Sequence, residues 1–211
     1  MQKRSKRYRA LIELATKAGI DITAPQPVSA GISWIKKLSK AKFQESVDLA
    51  VHLNLDTKKA DQQFRGNFSL PHGTGRAVRV IAFVNDGFMD FDVAIATPKM
   101  MRFVGKLGKV LGPRGLMPSP KSGTVTDDVA TAVNEFKNGK IEYRSDAAGN
   151  VQVSVGNVTF DESKLADNIN AFLTHVVEHR PSSVKGDFIK NITVSSTMGP
   201  GVKLAFATKE A

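Results

Sequence analysis

Residues 46–55 read SVDLAVHLNL. Val47, Leu49, Val51, Leu53 and Leu55 occupy every second position, with Ser46, Asp48, His52 and Asn54 between them. Successive side chains of a strand point to opposite faces, so this period makes one apolar row and one polar row. A helix would scatter the same five apolar residues around its circumference. The stretch therefore demands a sheet covered on one face, and the rest of the chain has to supply the neighbouring strands and the cover.

Upstream, Tyr8, Leu11, Ile12, Ala15 and Ala18 recur at helical spacing before Gly19. Val28, Ile32, Ile35 and Leu38 outline a second helix after Pro25 and Pro27. Downstream the composition changes at Leu70-Pro71-His72-Gly73-Thr74-Gly75, which marks a domain boundary. Two apolar stretches, 78–84 and 91–97, read as strands, and a short helix is expected at 100–104. Asp127 is expected to cap a helix running to Phe136, with Gly139 closing it. IEYRSD and VQVSVG flank AAGN as a hairpin signal. Asp161 begins a long helix with Leu165, Ile169, Phe172 and Val176 on one face, ended by Pro181. DFIKNITVSS and VKLAFA are two final strands around TMGPG. The ends thus read as α+β and the middle as α/β. Neither end has enough strands alone to cover its helices, so the termini are expected to form one domain with the middle inserted.

The charge balance narrows the partner. The chain of 211 residues carries 30 Lys+Arg against 20 Asp+Glu, a formal net charge of +10. Such an excess favours a polyanion, and nucleic acid is the leading candidate. With no cysteine, disulfides, thiol nucleophiles and cysteine zinc sites are excluded. No apolar run approaches the roughly 18 residues of a membrane span. The basic start, with Lys3, Arg4, Lys6, Arg7 and Arg9 before the first acid Glu13, resembles a transit peptide in charge but reads as the start of a folded helix. A cytoplasmic protein is expected.

Two motifs suggest chemistry and fail on physical grounds. GKLGKVLGPRGLMPSPKSGT (105–124) holds Lys106, Lys109, Arg114 and Lys121 and no acid. Its end comes within one residue of the phosphate-loop pattern G-x-x-x-x-G-K-[ST]. Pro120 stands where that pattern needs glycine, removing both an N–H donor and the backbone freedom. An ordered, basic surface loop is the better reading, and its four cations are candidate RNA contacts. His175-Val176-Val177-Glu178-His179 fits a zinc-peptidase pattern, but no third ligand has metal-like spacing. Histidines near a helix C-terminus are in any case favoured by the dipole. No catalytic triad or carboxylate pair stands out. No catalytic residue, metal or cofactor is expected.

Two other places suit RNA. Phe43, beside Lys42 and ahead of the alternating strand, is either a core side chain or a ring for a ribose or base. Thr197-Met198-Gly199-Pro200-Gly201 is either an ordinary hairpin turn or a surface for an RNA minor groove.

LGKVLGPRGLMPSPKSGTVT with the following DVATAV resembles the signature of the ribosomal protein L-one family, the lateral-stalk protein of the large ribosomal subunit. MQKRSKRYRA, KFQESVDLAVHLNLD, FRGNFSLPHGTGRAVRV, MDFDVAIATPKMM, LADNINAF and STMGPG match in the family's order along nearly the whole chain. The resemblance implies a discontinuous α+β RNA-binding domain, residues 1–69 with 150–211. An inserted, Rossmann-like α/β domain, residues 70–149, is joined to it by two hinge strands. It implies binding to large-subunit ribosomal RNA, a mobile arm near the exit-site tRNA that helps that tRNA leave, other ribosomal components as neighbours, and in bacterial members repression through the protein's own messenger RNA. Carried onto this chain, the contact motif falls on Lys42, Phe43, Glu45 and Ser46, and a second patch on Thr197, Met198 and Gly199.

Two departures from the family pattern stand out. Gln152 and Asn157 occupy positions where many members show histidine and lysine. Between the strands at 78–84 and 91–97 the family usually carries a helix-strand-helix segment, and here only Asn85-Asp86-Gly87-Phe88 remain. The insert should therefore be small, shortened between 84 and 90. Parallel neighbours usually need a crossover of roughly a dozen residues, and Asn-Asp-Gly is a hairpin signal. The two strands are expected to pair antiparallel, or to be linked across the sheet without pairing.

Overall fold

The structure, a computed structural model, describes residues 5–76, 78–82, 91–113, 116–120 and 123–205. Along the chain its elements are α1 (Lys6–Lys17), α2 (Val28–Leu38), β1 (Ser46–Leu53), β2 (Arg65–Ser69), β3 (Val80–Ala82), β4 (Val93–Ile95) and α3 (Met101–Val104). Then come α4 (Gly108–Leu111), α5 (Val129–Lys137), β5 (Lys140–Arg144), β6 (Asn150–Asn157), α6 (Glu162–Glu178), β7 (Ile189–Ser196) and β8 (Val202–Leu204). They separate into two compact units: Met1–Phe64 with Arg144–Ala211, and Arg65–Tyr143. The chain passes between units at the start of β2 and the end of β5.

In the first unit β1 is an interior strand of an antiparallel sheet ordered β6-β1-β7-β8. Its alternation survives intact: Val47, Leu49, Val51 and Leu53 are at most 1% exposed, while Ser46, Asp48, Ala50 and His52 are half-buried on the other face. α2 and α6 pack against the covered side. α6 turns Leu165, Ile169, Phe172, Leu173 and Val176 inward, the 3.6-residue period of an amphipathic helix. α2 approaches β8 closely at Gly31, where any Cβ would collide with the Leu204 side chain. A glycine in mid-helix costs about 1 kcal/mol relative to alanine, and here it allows that packing distance.

The β1–β6 ladder slips by one residue between Val47 and Asp48, whose partners are Gly156 and Ser154. Val155 is the extra residue of this bulge, and such a residue is left without a ladder partner. Asn168, wholly buried on α6, donates from Nδ2 to the Val155 carbonyl at 2.8 Å. The helix thus gives the oxygen of this bulge a donor.

The second unit is built differently. β3 and β4 pair parallel, Val80 with Val93 and Ala82 with Ile95, and Ala96 continues in a parallel bridge to Val125. Helical segments cover both faces. Ile95, with half-buried Val80 and Val93, packs against Ala132 and Phe136 of α5, while Ala94 and Ala96 pack with Val104 and Leu111 of α3 and α4. β2 and β5 form a separate ribbon.

The antiparallel or unpaired arrangement expected for β3 and β4 is corrected by this register. Each strand is only three residues long. The return to a parallel neighbour therefore spans only about 10 Å along the strands and roughly 5 Å sideways, well within the reach of residues 83–92 at about 3.3 Å per residue. Asp92 adds a local cause. Its carboxylate accepts from the Arg79 N–H at 3.1 Å and the Arg79 Nε at 3.4 Å, and its own N–H donates to the Arg79 carbonyl at 2.9 Å. This clamp holds the start of β3 beside the start of β4. The Arg79 N–H, followed by the Arg79 side chain and Arg76, keeps Asp92 below the ordinary aspartate value. The Asn85-Asp86-Gly87-Phe88 link itself lies outside the described residues.

Three smaller expectations also change. Asp128, not Asp127, caps α5, accepting from the Thr131 N–H at 3.1 Å. The hairpin expected around AAGN is reduced to one bridge, Ser145 with Val151, because β5 pairs with β2 and β6 with β1. The helix expected at 100–104 continues as a 3₁₀ turn, 105–107, and then α4, so the first third of the supposed loop is helical.

Replacing Asn168 by alanine should lower the unfolding free energy by about 1–3 kcal/mol, the cost of stranding a buried carbonyl. Urea denaturation measures it, and a variant as stable as the parent would remove the bulge argument.

Candidate nucleic-acid interface

The β1 register decides what lies near residue 46. Val47 faces Ser196 on β7 and Ser46 faces Asn157 on β6. The start of β1, the end of β6 and the turn after β7 therefore converge at one end of the sheet.

Ser46 and Thr197 are joined in both directions. The Ser46 N–H donates to Thr197 Oγ1 at 2.9 Å, and the Thr197 N–H donates to the Ser46 carbonyl at 3.1 Å. The two hydroxyls are also 2.9 Å apart. With Ser46 Oγ donating to Asp48, the Thr197 hydroxyl is the donor between them. The turn closes through the Gly199 N–H to the Ser196 carbonyl at 3.0 Å. A Cβ at Gly199 would stand 2.5 Å from Ser196 Oγ, so the turn packs tightly against that hydroxyl.

Glu45 lies beneath. It is 2% exposed, and its oxygens already hold three donors. Oε1 accepts from Ser39 Oγ at 2.6 Å and the Ala41 N–H at 3.1 Å, while Oε2 accepts from the Met198 N–H at 3.0 Å. One carboxylate thus ties the segment after α2 to the turn after β7. Burial alone would raise this carboxyl, but the bonds from Ser39 and the Met198 N–H, with that from Ala41, outweigh it and hold the group below the ordinary glutamate value.

Above this base the outward groups are apolar and cationic. Phe43 is 54% exposed and Met198 41% exposed, so the alternative of Phe43 as a core side chain is closed. Lys42 is exposed beside Phe43. Arg7 of α1 donates from a terminal guanidinium nitrogen to the Met198 carbonyl at 2.7 Å. The site residues read from the sequence did not include Arg7. No spacing rule joins residues 7 and 198; the only signal was the basic start. Asn157 lies beside Ser46 in the ladder, whereas Gln152 is exposed on the open sheet face opposite Ala50.

The remaining candidates belong elsewhere. Lys106 and Lys109 are exposed in the second unit, and Arg114 and Lys121 lie outside the described residues. In the near phosphate loop, the Ser119 N–H donates to Thr124 Oγ1 and the Gly123 and Thr124 N–H groups donate to the carbonyls of Pro120 and Ser119. Those donors are engaged inside the loop rather than aimed at a ligand. His175 and His179 stack with ring centroids 4.0 Å apart at the end of α6. Burial first, and then the charge of His179, pulls His175 below its ordinary value. Among the described residues no group of three His, Cys, Asp or Glu side chains is arranged to hold a metal, and no helix is long and apolar enough to cross a membrane.

Known proteins match almost the whole chain. The profile of the family described as Ribosomal protein L1p/L10e matches residues 35–87 and 84–200. A protein of Thermosipho melanesiensis named large ribosomal subunit protein uL1 is 44% identical over 234 aligned positions, covering 99% of each chain. One of Streptococcus gordonii with the same name is 45% identical, covering 97% of this chain and 98% of its own. The 234 aligned positions exceed the 211 residues here, so the first relative carries segments without a counterpart. The two profile matches meet at 84–87, inside the link between β3 and β4.

Glu45→Gln should lower stability at neutral pH by about 1–3 kcal/mol by weakening the bonds to Met198 and Ser39. Because the folded-state carboxyl is held below its ordinary value of 4.5, this contribution is complete above that pH and is lost as pH falls through the lowered value. Unfolding curves for both proteins should therefore converge on acidification; a constant gap would contradict this.

Proposed function

This chain belongs to the Ribosomal protein L1p/L10e family, and from that membership we propose that it binds a folded site on large-subunit ribosomal RNA through the face made by residues 42–46, Thr197–Gly199 and Arg7. It is a structural component of the large ribosomal subunit, associated with the ribosome in the cytoplasm, and not an enzyme.

One observation carries the RNA reading. Two segments about 150 residues apart, Ser46 and Thr197, are locked together by reciprocal hydrogen bonds (|i−j| = 151), and Phe43 and Met198 remain exposed above them. Apolar groups of this size left at a rigid, cation-flanked surface suit stacking or minor-groove contact with RNA. Glu45 serves as a positioning residue beneath that surface, since its oxygens are engaged by the protein's own donors. Lys42 and Arg7 supply charge to phosphates, with the net charge of +10 behind them.

The same reading divides the chain into an RNA-binding domain made from both termini and a reduced α/β insert. In it the insert and its β2–β5 ribbon let the RNA-bound arm move near the exit-site tRNA and help it leave. Through the same face the protein would bind a similar structure on its own messenger and repress its translation. Affinities for ribosomal and messenger fragments, measured side by side, separate these roles.

With a large-subunit stalk RNA fragment, Phe43→Ala should weaken binding roughly five- to a hundred-fold, the range of a lost aromatic–base stack. Arg7→Ala should reduce the slope of log affinity against log salt by about one. The proposal is overturned if the parent ignores the fragment at low ionic strength, or if Phe43→Ala binds like the parent.

A further inference from the structure

The segment from Met101 to Leu111 has two apolar faces. Its inner face is Met101, Val104 and Leu111, packed on the second unit's core. Its outer face is Phe103, Leu107 and Val110, which are 57%, 42% and 41% exposed. Those three positions fall within eight residues of a segment built from α3, a 3₁₀ turn and α4, where a surface helix ordinarily exposes polar residues. Isolated exposed apolar residues are common; three within eight residues, with cations between them, are not scatter.

The charge along this segment has one sign. Arg102, Lys106 and Lys109 are exposed beside it, and residues 98–126 contain no aspartate or glutamate. Lys106 Nζ lies 6.0 Å from the Phe103 ring centroid. A cation next to an exposed ring, in a segment without acids, matches the two parts of an unpaired nucleotide: a flat base to stack and a phosphate to neutralise. A double helix would offer the phosphates but keep its base faces stacked. A second copy of this chain would set cations against cations.

We propose that the outer face of α3 and α4 is a second RNA contact, separate from the face at Phe43 and Met198, that takes an unpaired nucleotide. Phe103 is the stacking platform, and Arg102, Lys106 and Lys109 receive the phosphates. This deepens the ribosomal RNA reading and rests on it for the kind of partner.

The test uses the full chain with Phe43→Ala and Met198→Ala already in place, so that the first face is weakened. The probe is a short single-stranded RNA carrying one 2-aminopurine, whose fluorescence falls when the base stacks. This variant should bind the probe and quench it. Adding Phe103→Ala should abolish the quenching and weaken binding roughly five- to a hundred-fold. Adding Lys106→Ala and Lys109→Ala instead should reduce the salt slope by up to about two while leaving quenching at saturation. All three sites are exposed, and circular dichroism verifies that each variant is folded.

Equal quenching with and without Phe103, or none in either protein, overturns the proposal. So does self-association seen by sedimentation that Phe103→Ala abolishes, because the stripe would then be an interface between copies. If stalk RNA binding still depends on Phe43 while the probe shows no dependence on Phe103, this inference alone fails. If Phe43→Ala leaves stalk RNA binding intact, the primary reading fails, and the probe still reports on this one.

Discussion

The interior position of β1 is the constraint from which the first unit follows. A strand with one apolar row and no free edge needs partners on both sides, and this chain supplies them from far away. Leu49 faces Val153 on one side and Val194 on the other. The covering helices α2 and α6 come from opposite ends of the sequence and meet over that row. Because the register of β1 is set by which row is buried, a slip of one residue would turn every one of its side chains to the wrong face. The same register brings Ser46 to Thr197, so the geometry of the candidate interface is a by-product of core packing.

A buried carboxylate under a surface proposed for RNA runs against simple electrostatics. Glu45 is tolerable there because its charge is spread over donors that it also organises: Ser39, Ala41 and the Met198 N–H. Burial of such a group without partners would cost several kcal/mol. With them it becomes a second rivet, beside the Ser46–Thr197 bonds, between the segment after α2 and the turn after β7. Arg7 closes the turn from the opposite side through the Met198 carbonyl. Both backbone polar groups of Met198 are thus held by the protein, and its side chain is presented outward. Such preorganisation spares the ordering entropy that a loose turn would lose on binding.

The second unit shows what sequence patterns conceal. The stretches 78–84 and 91–97 are apolar with little alternation, the pattern of strands buried on both faces and hence of parallel sheets. The short link and its Asn-Asp-Gly point the other way, but crossover length limits parallel pairing only where the strands are long. Three-residue strands shrink the distance to be crossed, and the Asp92 clamp favours neighbouring starts. The two faces of β4 explain the burial: Ile95 meets α5, while Ala94 and Ala96 meet the α3–α4 segment. The basic loop was read correctly as acid-free. Its helical first third, with exposed apolar side chains, is obscured in the sequence by Gly105, Gly108 and Gly112, which suggest irregular backbone.

By itself the sequence determined the alternating strand, the apolar stripes of α2 and α6, the absence of cysteine chemistry, the excess of cations, and a family resemblance carried by long motifs. These are properties of local period and composition, which the chain carries whether folded or not. Tertiary structure alone decided that Phe43 is exposed, that Glu45 is buried with three donors, that Arg7 reaches Met198, and that β3 and β4 run parallel. Each of these depends on a contact between residues distant in the chain or on the distance between strand ends. No window of sequence contains that information, because it arises only when separate segments compete to cover the same apolar surface.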